Sequence, residues 1–228
     1  MCGRYVTKAE AELERFWNIK RSGSTGFQGL FNAAPTQHLP VIRVDRQHGR
    51  SLDFLRWGLI PYSAKDPKAG ANLINARGET VAIRPVFRAA FTRRRCLVPM
   101  AGYYEWQKTP GGKVPHFIHL LNAEQFAVAG LYEYWPGRDG KTAVESFTVI
   151  TTAPNEMAGK IHDRMPVILP QDAHAQWLDP ENTATEALQQ LLQPYPAEEM
   201  RAYPVRTLVN SARNEGPELI EPLQEPRA

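Results

Sequence analysis

The chain has 228 residues, 43% hydrophobic and 22% charged, with a formal net charge of +3. That length supports one substantial core or at most two small domains. No apolar run approaches the ~20 residues needed to span a bilayer, and a charge so near zero excludes a bulk-charge argument for nucleic acid, so any such partner needs a local basic site. Residues 1–10 lack the basic-then-apolar pattern of a secretory signal, and residue 2 is not the glycine of N-myristoylation. An intracellular, cytoplasmic protein with no membrane partner is expected. Two cysteines, Cys2 and Cys96, make no disulfide framework, and a reducing compartment keeps both as thiols.

Thr7-Lys8-Ala9-Glu10 has the capping-box pattern, and Leu13, Phe16 and Trp17 follow at helical spacing, which predicts an amphipathic helix over residues 8–19. The Gly/Ser-rich residues 21–29 read as loop. Strands are expected at 39–44 and 51–57, joined by a turn around His48-Gly49, and another at 73–77. Pro85 suits a first helical turn, with the helix interior over 86–91. From there the chain turns strongly β: 96–98, 102–107, 116–121, 126–134 and 147–152, separated by Pro110-Gly111-Gly112 and Pro136-Gly137. An apolar strand at 165–169, helices at 171–178 and 183–192, a strand at 203–208 and a frayed tail after Pro222 complete the reading. No repeat, low-complexity tract or linker interrupts it. The expected fold is α+β: one domain over residues 1–228, built of curved, largely antiparallel β-sheets with peripheral helices.

Cys2 comes first among residues with chemistry. Methionine removal is favoured before a small residue, and it would leave an α-amine and a thiol on adjacent carbons. The amine, with a pKa of about 7.7–8.0, is partly unprotonated near neutrality. It can condense with an aldehyde to an imine, on which the thiol closes a five-membered thiazolidine with the effective molarity of an intramolecular step. Cys2-Gly3 equally opens the N-terminal-nucleophile amidotransferases, in which the thiol attacks an amide and the α-amine acts as base. A third reading is a non-catalytic module that binds single-stranded DNA. A cysteine at position 2 can also be an accident of a chain end.

Asn75 and Arg77, two apart in a strand, share one face. Tyr103 and Glu105 share a face opposite Tyr104 and Trp106, and a carboxyl among aromatics is open to desolvation, which raises its pKa. His162 lies in a polar turn before an apolar strand, where a proton shuttle is possible but a structural histidine is commoner. Cys96 reads as a small core residue. His116 and His119, three apart on a strand, face opposite ways and cannot share a metal; no metal or other cofactor is called for. Arg84, Arg88 and Arg93-Arg94-Arg95 form a basic cluster that gains interest only where the fold brings it beside Cys2.

In order along nearly the whole chain stand Met1-Cys2-Gly3-Arg4, Phe31-Asn32-Ala33-Ala34-Pro35, Trp57-Gly58-Leu59-Ile60-Pro61, Ile74-Asn75-Ala76-Arg77 with Glu79-Thr80, Arg94-Arg95-Cys96-Leu97-Val98-Pro99, Gly102-Tyr103-Tyr104-Glu105-Trp106, Ile161-His162 with Arg164-Met165-Pro166-Val167, and Gly216-Pro217-Glu218-Leu219-Ile220. This ordered set resembles the SOS response-associated peptidase (SRAP), or abasic-site processing, family. The resemblance implies a barrel-like fold and a covalent link from the exposed cysteine to the ring-opened sugar of an abasic site in single-stranded DNA, with self-processing peptidase and lyase activity. It implies catalytic roles for Cys2, Asn75, Glu105 and His162 and DNA contacts from Arg4, Asn32, Pro35, Arg77, Arg84 and Arg88. A monomer is expected. The family commonly carries a wedge tryptophan near residue 63. This chain has Tyr62-Ser63 there, so Tyr62 either replaces the stacking surface or leaves a weaker wedge.

Overall fold

A computed structural model of the chain describes residues 2–19, 25–45, 49–138 and 142–223. Thirteen strands fall into two sheets. The smaller has the order β13-β8-β7-β1-β2, formed by β13 (Met200–Pro204), β8 (Gly112–Leu120), β7 (Gly102–Thr109), β1 (Tyr5–Thr7) and β2 (Leu30–Ala33). The larger runs β11-β10-β4-β3-β6-β9-β12, with ranges Met165–Pro166, Val144–Thr152, Gly49–Trp57, His38–Asp45, Arg95–Met100, Phe126–Trp135 and Ile168–Leu169. Because β9 also pairs with β10, strands β10, β4, β3, β6 and β9 close into a ring. Closure removes the exposed edges that an open sheet leaves. A three-residue strand, β5 (Asn75–Arg77), pairs parallel to β10 beyond the end of β4.

Side chains alternate along the ring strands, and the two faces build two cores. Ile42, Leu52, Leu97, Ala129, Leu131 and Ile150 pack on one side with residues of all four helices, α1 (Glu10–Trp17), α2 (Pro85–Arg93), α3 (Ala173–Leu178) and α4 (Thr185–Gln190). On the other side Val41, Leu55, Trp57, Cys96, Val98, Val128 and Phe147 meet Tyr5, Tyr103 and Ile118 of the smaller sheet, and Cys2 is part of this second core. The α+β class, the largely antiparallel curved sheets and the peripheral helices thus agree with the sequence reading.

Several local expectations are corrected. The capping box does not form: the helix begins after Ala9 without a side-chain cap. Thr7 is spent in β1, and the Glu10 carboxylate accepts instead from the Thr25 and Gly26 amides and the Thr25 hydroxyl. The strand expected over 165–169 is two short ones. Its first half pairs with β10 and its second with β9, and Val167 bridges both. The last strand ends at Pro204 rather than 208, and residues 207–210 form a 3₁₀ turn. The turn at His48 and most of the frayed tail fall outside the described residues.

One glycine shows how closely β7 and β8 approach. A Cβ on Gly102 would lie 2.2 Å from Phe117 Cζ and 2.9 Å from Ile118 O. Gly102→Ala should therefore lower stability by about 1–3 kcal/mol, read as a fall in the urea midpoint with unchanged slope. Burial lowers the pKa of His174 below its ordinary 6.5, although a hydrogen bond to Leu169 O works the other way. The unfolded chain then binds the proton more readily. Stability tied to neutral His174 is complete above about pH 6.5 and lost as the pH falls below it. His174→Gln should flatten the stability loss between about pH 7 and about pH 5 in urea titrations.

Candidate functional site

Cys2 is fully buried, just before β1 enters the smaller sheet between β2 and β7. Its carbonyl accepts a 2.9 Å hydrogen bond from the Asn75 side-chain amide. Asn75 is held in turn by its neighbours. The Trp57 indole N–H donates to the Ile74 carbonyl at 3.0 Å, and the Trp57 ring meets Tyr5 edge-on at 5.1 Å. Gly58 after Trp57 sits at φ +113°, where a Cβ would stand 2.6 Å from Gly70 O, so the Trp-Gly pair has no substitute at its second place. The Oδ1 atom of Asn75 is buried and has no partner among the described residues.

Glu105 is 3% exposed, on the same face of β7 as Tyr103, as the alternation predicted. His162 follows a 3₁₀ turn (Ala158–Lys160) and sets Nε2 4.0 Å from Glu105 Oε2. Its Nδ1 lies 3.1 Å from the Arg164 N–H and 2.9 Å from Asp163 Oδ1. Burial pushes the Cys2 thiol well up from its ordinary range, and the Glu105 charge adds to the shift. A carboxylate and a thiol are therefore electrostatic neighbours, with a histidine beyond them.

Beside His162, Arg164 is bidentate to Glu79 at 2.5 and 2.9 Å and also donates to Thr151 O. The Arg164 hydrogen bonds, against a smaller opposing effect of burial, hold Glu79 below the usual carboxylate range, and Arg77 adds to this. Arg77, Arg84 and Arg88 are exposed, the last on the outer face of α2, while Pro35 is half-buried. Tyr62 is 63% exposed and shares a cleft with Val86 and Ala89 of that helix.

Two basic or polar expectations change character. Asn32 is completely buried. Its amide donates to Ser211 O at 2.9 Å, Asn214 O at 3.0 Å and Val209 O at 3.4 Å, and its Oδ1 accepts from Arg4. It thus ties Arg4 to the 209–214 turn. Arg95, part of the presumed basic cluster, is 4% exposed and donates to the carbonyls of Trp177, Asp179, Asn182, Phe91 and Thr92. Arg94 is paired with Glu133 at 2.7 Å. Of the triplet, only Arg93 is fully exposed.

The structure also brings in residues the sequence did not single out. His116 is the register partner of Glu105 on β8, so the two side chains share a face. The Pro110-Gly111-Gly112 turn, which sets that register, was the available signal. Tyr5 and Tyr103 are register partners with fully buried hydroxyls that have no hydrogen-bond partner among the described residues. An unpaired buried hydroxyl costs roughly 1–3 kcal/mol. Nothing in an isolated sequence marks it.

Fold and site together define a protein that buries its second residue, a cysteine, in the core between two sheets, with its carbonyl on Asn75 and with Glu105 and His162 nearby. The model of the SOS response associated peptidase (SRAP) family matches residues 1–212, and the chain belongs to that family. It is 45% identical over 225 residues to the abasic site processing protein YoqW of Bacillus subtilis strain 168, covering 97% of this chain and 99% of the relative. It is 32% identical over 262 residues to the abasic site processing protein HMCES of Xenopus tropicalis, covering 96% of this chain and 78% of the relative. A crystal structure of a protein from Bacteroides thetaiotaomicron superposes with a TM-score of 0.86 at 26% identity, over 98% of this chain and all of that one.

Asn32→Ala removes the side-chain donor from the Ser211 and Asn214 carbonyls and one of two from Val209 O, which keeps Arg4. It should cost about 1–3 kcal/mol in chemical denaturation and raise hydrogen exchange in that turn. Loss of ligand binding with neither change would instead assign Asn32 a direct contact.

Proposed function

We propose that this protein processes abasic sites in DNA by linking covalently to them through Cys2, once Met1 has been removed by an aminopeptidase or by self-cleavage. The single observation that carries this reading is the gathering of Cys2, Asn75, Glu105 and His162. These residues are spread over 160 positions of sequence, yet the Cys2 carbonyl is held 2.9 Å from Asn75 and its thiol shifts with the Glu105 charge, beside His162. The names borne by the relatives above agree with it.

In this scheme the Cys2 α-amine attacks the C1′ aldehyde of the ring-opened sugar. Water leaves to give an imine, and the thiol then adds to close a thiazolidine. Asn75 has the atoms to orient that amine: its Nδ2 is on the Cys2 carbonyl and its Oδ1 has no partner among the described residues. Glu105 transfers protons in imine formation and ring closure, and His162 acts as a second acid/base near the sugar hydroxyl. The imine also permits β-elimination, hence lyase activity. Single-stranded DNA is the proposed partner, tracked by exposed Arg77, Arg84 and Arg88. Tyr62, 63% exposed, and Ile83, 72% exposed, offer surfaces for unstacked bases. The protein acts as a monomer inside the cell and needs no cofactor.

Intact-mass spectrometry with abasic single-stranded DNA tests this directly. The wild type should lack Met1 and gain the mass of the oligonucleotide in a denaturation-resistant adduct. Cys2→Ala should form none, and Glu105→Gln should form it about 100-fold more slowly. An adduct from Cys2→Ala would refute the assignment of the nucleophile. Ammonia release from glutamine would favour amidotransferase chemistry instead, and wholly salt-reversible binding a non-catalytic module.

A further inference from the structure

Two buried phenols beside Cys2 have no part in the scheme above. Tyr5 on β1 and Tyr103 on β7 face each other across the sheet, both fully buried and both in the core that contains Cys2. Other tyrosines of this chain use their hydroxyls: Tyr104 donates to Phe31 O, Tyr195 to Glu199 and Tyr203 to Ile220 O. Those of Tyr5 and Tyr103 are unpaired among the described residues. Phenylalanine at either position would fill the same space and strand no polar atom. Two costly hydroxyls side by side therefore call for a partner that the resting protein does not engage.

The surroundings point to that partner. Burial raises the pKa of both phenols, and a negative charge at Cys2 raises both further; Glu105 adds to the shift at Tyr103 and Cys96 to that at Tyr5. The hydroxyls thus lie within electrostatic reach of the sulfur. Tyr103 also shares its strand face with Glu105. The thiol itself stands in a place where burial and Glu105 both oppose its ionisation, so a sulfur that must become nucleophilic there needs donors.

We propose that the Tyr103 hydroxyl, with Tyr5 beside it, donates a hydrogen bond to the Cys2 sulfur as the ring closes, which makes Tyr103 a further catalytic residue. The proposal rests on the crosslinking reading. In the step, the thiol proton passes to the Glu105 carboxylate and the sulfur lone pair forms the bond to the aldehyde carbon. The π pair of the protonated imine returns to nitrogen. Tyr103 keeps its proton throughout and stabilises the charge that develops on sulfur.

A small aldehyde, propanal, separates this inference from any question about DNA. The full chain without Met1 is incubated with propanal and treated with cyanoborohydride, which reduces the imine but not the ring, and the two products are resolved by mass. Tyr103→Phe should leave imine formation unchanged and slow ring closure about tenfold, so the reduced imine accumulates. Tyr5→Phe should do the same to a smaller extent. Melting temperatures should stay level or rise, since each change removes a stranded hydroxyl. A trapped fraction and ring-closure rate equal to wild type in Tyr103→Phe would overturn the proposal. A wild type that closes the ring on propanal yet leaves abasic DNA unlinked would strike the crosslinking reading alone.

Discussion

The hydrogen bond between the Asn75 amide and the Cys2 carbonyl joins the start of the chain to a strand that is itself only three residues long. Chain ends are normally the least ordered part of a protein, and fixing each residue costs about 1–2 kcal/mol of backbone entropy. Here the residues just after Cys2 meet that cost by entering the smaller sheet as an inner strand. β1 is paired on one side with β2 and on the other with β7, and Tyr5, Val6 and Thr7 are all buried. The opposite partner is secured with equal care. β5 lies parallel to β10, the indole of Trp57 holds the carbonyl just before Asn75, and Gly58 and Gly70 meet at a distance no side chain permits. The Asn75–Cys2 hydrogen bond thus links a strand paired with β10 of the larger sheet to the residue that leads into the smaller one.

This placement carries a chemical conflict. A pocket closed to bulk water protects an imine from hydrolysis and strengthens every polar interaction inside it. The same desolvation drives the thiol away from its nucleophilic form, and the nearby carboxylate pushes the same way. A site of this kind works only where polar atoms are already in place for charge that appears during reaction. On the proposed reading, the Asn75 Oδ1 and the two phenol hydroxyls, without partners among the described residues, are such atoms. Cys96 makes the contrast. It is equally buried in the same core and its thiol is likewise pushed up, but there Arg43 works against the shift, where Glu105 adds to that of Cys2.

Much of this was legible from residues, and the limits have physical causes. The ring strands stood out as β-rich runs between turn signals, four of the five being eight to ten residues long. β1 and β2 did not, because three or four residues carry no measurable period. The capping box failed although its local pattern was complete, since tertiary pairing claimed Thr7 first. In the site, Glu105 was assigned correctly to a face, but strand periodicity holds no information on whether that face meets water or another sheet. His116 needed the hairpin register and Tyr5 the pairing of β1 with β7, both of which are long-range facts. Asn32 shows a related limit: the carbonyls it serves, 177 to 182 positions away, come into view only in the fold.

The small net charge takes on a different meaning once the arginines are sorted by what they touch. Arg95 is a buried clamp on five carbonyls. Arg43 is tied to Asp53 and Glu145, Arg94 to Glu133 and Arg164 to Glu79. These pairs neutralise acids within the fold and leave no field for a distant ligand. Among the exposed arginines, Arg77, Arg84, Arg88 and Arg93 form one run, beginning two residues past Asn75 and continuing through α2, whereas Arg15, Arg50, Arg201, Arg206 and Arg213 lie elsewhere in the chain. Their influence reaches about 8–10 Å at physiological salt. A chain with a formal charge of only +3 thus keeps a short cationic path near the residue that binds Cys2, with exposed Tyr62 and Ile83 beside it. On the proposed reading such a path is enough, because a polyanion held by a covalent bond does not require a large electrostatic footprint to stay.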